Sequence, residues 1–310
     1  MHSFSLTHNA TNRRDTPSRP WSRFLHYGVV FCALFTLQSS LQAQRMKLSY
    51  FSEESWFLSS KVIPLKPVVT MIPHKIWFTY RFNILETKTP EHYYNNVMKI
   101  INTYTSLWNS STNIPTEVYF IDDNNCTNLL NQVDPLLAKA FEQEGRGDLK
   151  ADLCRTAALY LHGGYYFDVD MDVVQPLDLP DNVSFATSMS ASYPIFFNSF
   201  IATSPRSDIM NAAVASFYQY YINETGFCRT NINFQEVVGC CTLWDGYQKT
   251  PIEKRGETFI LDEVHLNTGL YPNYPTRGYI DPDCDYVVHH NASHQIYFYS
   301  RIFGSGHCQK

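Results

Sequence analysis

The sequence predicts an α/β domain built on a mostly parallel central sheet and preceded by a single apolar anchoring helix. Three observations lead there. Between residues 71 and 220, short aromatic and β-branched runs alternate with longer helical periodicities. Near the N-terminus, residues 24–43 carry no Asp, Glu, Lys or Arg. The composition is 44% hydrophobic and 15% aromatic but only 17% charged, enough to bury a core and too few charges for a disordered chain. At 310 residues the chain has room for one large domain or two small ones. Its net charge of -5, with no basic stripe to neutralise phosphates, speaks against a nucleic-acid partner.

The anchoring segment comes first. Residues 1–23 are polar and hold Arg13, Arg14, Arg19 and Arg23. Residues 24–43, FLHYGVVFCALFTLQSSLQA, span roughly 30 Å as a helix, about one hydrocarbon core. The reading is a signal-anchor transmembrane helix, with 1–23 as a cytosolic tail by the positive-inside tendency. A cleaved signal peptide competes, because only residues 24–37 are strongly apolar; Leu41 stands where cleavage calls for a small residue. A mitochondrial address is opposed by Asp15 and the long apolar run. Residues 44–70, with Pro64 and Pro67, read as a stem, and 71–310 as one lumenal domain.

Two features fit a lumenal setting. Sequons begin at Asn109, Asn125, Asn182, Asn223 and Asn291. Of the eight cysteines, Cys32 falls in the apolar segment. The other seven are Cys126, Cys154, Cys228, Cys240, Cys241, Cys284 and Cys308, an odd number that leaves at least one without an intrachain partner. Adjacent Cys240 and Cys241 are not expected to bond each other, and without a C-x-x-C no zinc ribbon is expected. The plain alternative for all seven is a buried small apolar residue.

The elements follow in order. IPHKIWFTY (72–80) is a short strand. PEHYYNNVMKIINTYTSLW (90–108) is a helix with Pro in its first turn and Val97, Ile100, Ile101, Tyr104 and Trp108 on one stripe. TEVYFID (116–122) is a strand ending in two aspartates. DPLLAKAFEQE (134–144) is a helix capped by Asp134 with Pro135 next. DLKADLCRTAALYLH (148–162) is another, stopped by Gly163-Gly164. NVSFATSM (182–189) and FFNSFIAT (196–203) are strands, DIMNAAVASFYQYY (208–221) a helix, and DYVVHH (285–290) and QIYFY (295–299) late strands.

The segment that carries chemistry is LHGGYYFDVDMDVVQPL (161–177). It reads as a buried strand with Asp168, Asp170 and Asp172 at alternate positions, on one side and roughly 6–7 Å apart. Unpaired buried carboxylates would repel and neutralise. A hard divalent cation resolves this: carboxylates are its ligands, and it keeps positions open for phosphate oxygens. The alternative is a solvated strand end. On the preceding helix Asp152 and Arg155 share a face, either to hold sugar hydroxyls and phosphate or as an ordinary ion pair.

The run KADLCRTAALYLHGGYYFDVDMDV resembles the DXD-containing sugar-binding region of retaining glycosyltransferases, a group with the yeast-type initiating α-1,6-mannosyltransferases and the inositol-phosphoceramide mannosyltransferases. The pattern D-L-x-R, apolar helix, G-G-x-Y-x-D-x-D is matched by Asp152, Arg155, Gly163, Gly164, Tyr165, Asp168 and Asp170. IPHKIWFTY is similar to the family's opening strand, and NSFIATSPRSDIM to its N-x-x-I-A segment, with residues 206–208 departing from G-H-P. The resemblance implies a GT-A fold and Mn²⁺ or Mg²⁺ held through Asp168 and Asp170. It implies donor contacts from Asp152, Arg155, Gly164, Tyr165 and Asp168, with the base near Trp77. It further implies a Golgi-resident type II membrane protein transferring a hexose to a glycan or glycolipid. Mannose from GDP-mannose leads, with UDP-galactose, UDP-glucose and UDP-N-acetylglucosamine behind. Among His289, His290 and His294, His289 and then His290 is expected on the metal side; the alternative is a strand-end His without a ligand role. Gly239-Cys240 replaces the family's G-P.

Two rival classes remain. A haloacid-dehalogenase-type phosphatase would use Asp170, Asp172 and Val174, but only Lys249, Lys254 and Lys310 follow to serve as its lysine. A non-catalytic lumenal sugar- or protein-binding module on the same fold would not need Asp152, Arg155, Asp168 and Asp170 intact.

Overall fold

A computed structural model describes residues 71–111, 115–265, 285–293 and 295–303. The chain divides into two units, Met1–Pro64 and Leu65–Lys310, and every described residue belongs to the second. The expected tail, membrane helix and stem lie outside the described residues. Among those described, no helix is long and apolar enough to cross a membrane.

The principal elements are β1 (Lys75–Thr79), α1 (Glu91–Ser111), β2 (Glu117–Ile121), α2 (Asp123–Val133), α3 (Pro135–Gln143), α4 (Gly147–His162), β3 (Gly164–Phe167), β4 (Asp172–Val173), β5 (Val183–Met189), β6 (Phe196–Thr203), α5 (Asp208–Tyr221), α6 (Val238–Lys249), β7 (Glu257–His265), β8 (Asp285–His290) and β9 (Ile296–Phe303). The caps agree with local chemistry. Asp134 Oδ1 accepts from Leu136 N at 2.7 Å to open α3, Asp122 does the same for α2, and Ser207 for α5.

The strands form one nine-stranded sheet in the order β2-β1-β3-β6-β5-β7-β8-β9-β4. β2, β1 and β3 are parallel, as are β5 and β7, while β6 runs against both its neighbours. Along the first six strands of that order only β6 opposes the common direction, so this part of the sheet is mostly parallel. The last three, β8, β9 and β4, add an antiparallel ribbon.

Side chains alternate between two cores. Trp77, Tyr166, Phe185 and Ile201 face α2 to α6, whereas Ile76, Phe78, Tyr165, Phe167 and Phe200 face α1. β9 curls over this second face, where Phe298 meets Phe167 and Phe200 with ring centroids 5.6 and 5.0 Å away. The curl explains how β4, at the far edge of the sheet, can follow β3 after only residues 168–171. Disulfides join α2 to α4 through Cys126–Cys154, and the helical turn Phe227–Thr230 to α6 through Cys228–Cys241. Cys240 is free; Cys284 and Cys308 lie outside the described residues.

Segment 161–177 departs from its expected form. It is two strands joined by a turn: β3 ends at Phe167, Met171 N donates to Asp168 O at 3.1 Å, and Asp172 opens β4 opposite Tyr299. The three aspartates do not share one strand face, because the chain leaves one part of the sheet for another between them.

Candidate active site

The site begins with a glycine pair. Gly163 and Gly164 adopt φ of +63° and +108°, and a Cβ on Gly164 would stand 2.6 Å from Lys75 O. This reversal lays α4 back along β3. Seven residues of helix before His162 rise about 10 Å, and four residues of strand after Gly164 rise about 13 Å. Arg155 therefore comes level with Asp168, at the carboxyl end of β3.

Arg155 is 5% exposed and Asp152 is 8% exposed. Arg155 Nη1 donates to Asn198 O at 2.7 Å and meets Asp168 Oδ1 at 3.1 Å. Its Nη2 reaches Asp152 Oδ1 at 3.4 Å, and the guanidinium lies 4.5 Å from the Tyr166 ring centroid. Tyr166 OH donates to Asp168 Oδ1 at 2.6 Å and is held by Thr79 Oγ1 at 2.9 Å. On the other flank Asn198 Nδ2 donates to Asp152 Oδ1 at 2.8 Å, and Gly239 N to Asp152 Oδ2 at 3.1 Å. Asp152 thus caps α6 from another helix, where Val237 gives no side-chain cap. Cys240 Sγ contacts Asn198 Oδ1 at 3.4 Å.

Burial pushes the Asp152 carboxyl up to about 6, against the pull of Arg155 and Asn198. Burial opposes the Arg155 charge, yet Asp168, Tyr166 and Asp152 raise its pKa further and keep it a cation. Burial, with Asp152 next, pushes the Cys240 thiol up to about 12, so it is no thiolate at neutral pH. Glu263, at the end of β7, is pushed up to about 7 by burial.

The donor set suits a hard divalent cation. Both contacts to Asp168 use Oδ1, which leaves Oδ2 for a ligand, and Asp170 stands two residues on in the same turn. Among the described residues no group of three or more His, Cys, Asp or Glu converges. An ion here would complete its shell from phosphate oxygens and water, as Mg²⁺ commonly does. Asp172 is committed elsewhere, to Lys99 Nζ of α1 at 2.6 Å.

Other expected residues stand apart from this cluster. Trp77 is 4% exposed, donates to Gly163 O at 2.7 Å and stacks on Tyr119 and His162. It is packed within the α4 face and offers little ring for a base. Gly164 and Tyr165 lie at the amino end of β3, one strand length from the aspartates; Tyr165 packs on Tyr104 and Trp108. Their place is structural, fixing the α4–β3 reversal and the α1 core. His289 and His290 pair with Glu263 and Asp262 across β8 and β7; their side chains, and the whole of His294, lie outside the described residues.

The sequence did not single out Tyr166, Thr79, Asn198 or Gly239 as site residues. Asn198 opens the N-x-x-I-A segment, and Gly239 stands where the family has its G-P, so each carried a faint signal. Tyr166 and Thr79 carried none, since aromatic and hydroxyl residues are ordinary in strands.

Residues 80–189 match the family model of the glycosyltransferase sugar-binding region containing DXD motif. Over 109 residues the chain is 30% identical to an initiation-specific alpha-1,6-mannosyltransferase of Candida albicans, covering 34% of this chain. The chain spans about a quarter, 26%, of that relative's length. Among solved structures, PaToxG glycosyltransferase is 16% identical with a TM-score of 0.41, over 58% of this chain and 70% of that one. The UDP-bound glycosyltransferase domain of the YGT toxin is 14% identical with a TM-score of 0.26, over 50% and 46%. The family match and the mannosyltransferase relative bear out the resemblance to DXD glycosyltransferases, and the matched segment holds Asp152, Arg155, Asp168 and Asp170.

Proposed function

We propose that this protein is a metal-dependent retaining glycosyltransferase that moves a hexose from a nucleotide diphosphate sugar to a glycan or glycolipid acceptor. The observation that carries the reading is the buried Arg155, which joins Asp168 of the D-x-D pair to Asp152 and Asn198 at the carboxyl ends of the strands. Ligands of open α/β sheets bind outside those ends.

Asp168 and Asp170 are the residues that would hold Mn²⁺ or Mg²⁺, and the chemistry such an ion would supply there is neutralisation of the charge that develops on the departing diphosphate. Arg155 and Tyr166 fix Asp168 Oδ1, so its second oxygen is presented in one orientation. Asp152 holds Asn198 and the first turn of α6 beside it, forming the wall against which the transferred sugar rests. Direct contact of Asp152 and Arg155 with the sugar is part of the proposal; their burial already makes them the frame of the site.

GDP-mannose leads as donor because the curated relative is named a mannosyltransferase, with UDP-hexoses next. Golgi residence through the 24–43 anchor accords with two disulfides, which persist in oxidising compartments. The test is a donor screen on the full chain in detergent, with Mn²⁺, reading nucleoside diphosphate release. A GDP- or UDP-sugar turned over only with metal supports the reading; turnover of none overturns it. Asp170→Ala should abolish turnover with unfolding behaviour unchanged, and wild-type turnover in that variant would remove Asp170 from the metal site.

A further inference from the structure

We infer that the protein has a second ligand site, at the end of the sheet opposite the aspartate turn, and that it takes a primary ammonium group carried on a short apolar stem. The inference does not rest on the transferase reading.

The site is a cavity of about 500 Å³ on the α1 face. His74 stands just before β1, Tyr165 is the second residue of β3 and Val183 opens β5. These three strands run in one direction, so the cavity lies at their amino ends. Asp168 follows the carboxyl end of β3, about 10 Å further along the chain.

The wall is aromatic. His74 and Trp108 stack with ring centroids 4.5 Å apart and an interplanar angle of 1°, and Tyr165 meets Trp108 at 5.1 Å. Ile72 and Val183 add apolar surface. Tyr165 is 4% exposed. Its hydroxyl hydrogen-bonds to no described residue, and the charges of Asp178 and Asp181 both act on it. It is a buried polar group turned toward the cavity, and a ligand can satisfy it.

The mouth is acidic. Asp178 and Asp181 line it and are exposed, and neither carboxylate pairs with a described cation. The imidazole of His74 does not supply one: burial lowers its pKa although both aspartates pull the other way, so it is neutral at pH 7. Two like charges beside low-dielectric walls focus a negative potential into the cavity, which repels an anion. A metal ion is poorly served, since among the described residues no three His, Cys, Asp or Glu converge. A primary ammonium fits each part. Its three N–H groups can donate to the two carboxylates and the Tyr165 oxygen, its charge suits the aromatic rings, and its stem meets Ile72 and Val183.

The alternative is a solvated acidic rim over ordinary core packing. Calorimetric titration of the full chain with n-butylammonium, at constant ionic strength, separates the two. n-Butanol, tetramethylammonium, Mn²⁺ and methyl α-mannoside are the controls. Butylammonium should bind saturably and raise Tm, and no control should match it. Asp178→Asn combined with Asp181→Asn, both at exposed positions, should weaken binding about tenfold or more while leaving donor turnover unchanged. Tyr165→Phe, which removes the hydroxyl alone, should weaken binding about threefold. Absence of saturable binding by the wild type overturns the inference, as does equal binding of n-butanol or tetramethylammonium. Weakening through the aspartate pair alone, with Tyr165→Phe equal to wild type, would mean a counter-ion at the rim and overturns it too. Butylammonium binding by a chain inert toward every donor leaves this site standing and sinks the transferase reading.

Discussion

Gly239 offers a test in which the sign of the effect is at stake. A helical Gly→Ala change ordinarily stabilises by about 1 kcal/mol, through backbone entropy. At Gly239 the added Cβ would stand 2.0 Å from Asp152 Cγ and 2.3 Å from both carboxylate oxygens. Asp152 cannot retreat, because Asn198 and Arg155 hold it in a buried site. The substitution must break the Gly239 N–Asp152 bond, about 1.5–3 kcal/mol for a charged acceptor, and overpack the site by about 1–3 kcal/mol. Set against the helical gain, the net loss is roughly 1.5–5 kcal/mol, or about 3–20 °C in Tm for a domain of this size. Urea and thermal unfolding of the full chain read it, with Gly147→Ala as control: Gly147 opens α4 with nothing within 4 Å of its Cβ position, so that change should be neutral or stabilising. A Gly239→Ala protein as stable as wild type would refute the claim that Asp152 is locked against α6.

Two further outcomes follow from the same cluster. Arg155→Ala leaves Asp152 and Asp168 without their shared cation and should cost about 3–5 kcal/mol in chemical unfolding. Arg155→Lys should not restore it, since one ammonium cannot reproduce the planar fork that meets Asn198, Asp168 and Asp152; a loss below about 1 kcal/mol would show the cluster is not coupled. Folded Asp152 and Glu263 keep their protons to about 6 and about 7, where unfolded carboxyls release them near 4. The folded state binds more protons across that window, so stability should fall as pH rises from about 4 to about 7. Glu263→Gln should flatten that fall by a few kcal/mol at most; denaturation curves at pH 5 and pH 8 that shift equally in both proteins would refute the Glu263 assignment.

Where local signals coincide, the sequence is legible almost to the residue. Ser207 before an amphipathic run marks α5, and Asp134-Pro135 marks α3. Two helices were not legible. α2 begins DNNCTN, poor helix formers, and is held by Leu130 in the core and the Cys126–Cys154 bond. α6 contains Gly239 and Gly246 and reads as a loop; yet Gly246 lets α5 approach, with Ala213 N only 2.5 Å from where its Cβ would be. β7 carries charged Glu257, Asp262 and Glu263 among its apolar residues and gives no clear strand signal either. The D-L-x-R and D-x-D residues were identified as a pair of motifs, but nothing local says that Arg155 touches Asp168, or that Asp172 turns away to Lys99. That depends on the α4–β3 reversal and on a sheet whose far edge curls home. Trp77 misled for the opposite reason: its place in a strand is plain, while its burial under Tyr119 and His162 is a tertiary fact.

The four-residue link between β3 and β4 has one more consequence. It ties the aspartate turn to β9 by covalent chain, since among the described residues β4 pairs in the sheet with the strand formed by Ile296–Phe303 alone. The C-terminal hairpin is therefore a tensioning frame for the turn: its docking, through Phe298 against Phe167, sets how far apart the two anchor points of the link stand. Truncations or substitutions in the last strands can then silence the protein without touching any residue that meets a ligand.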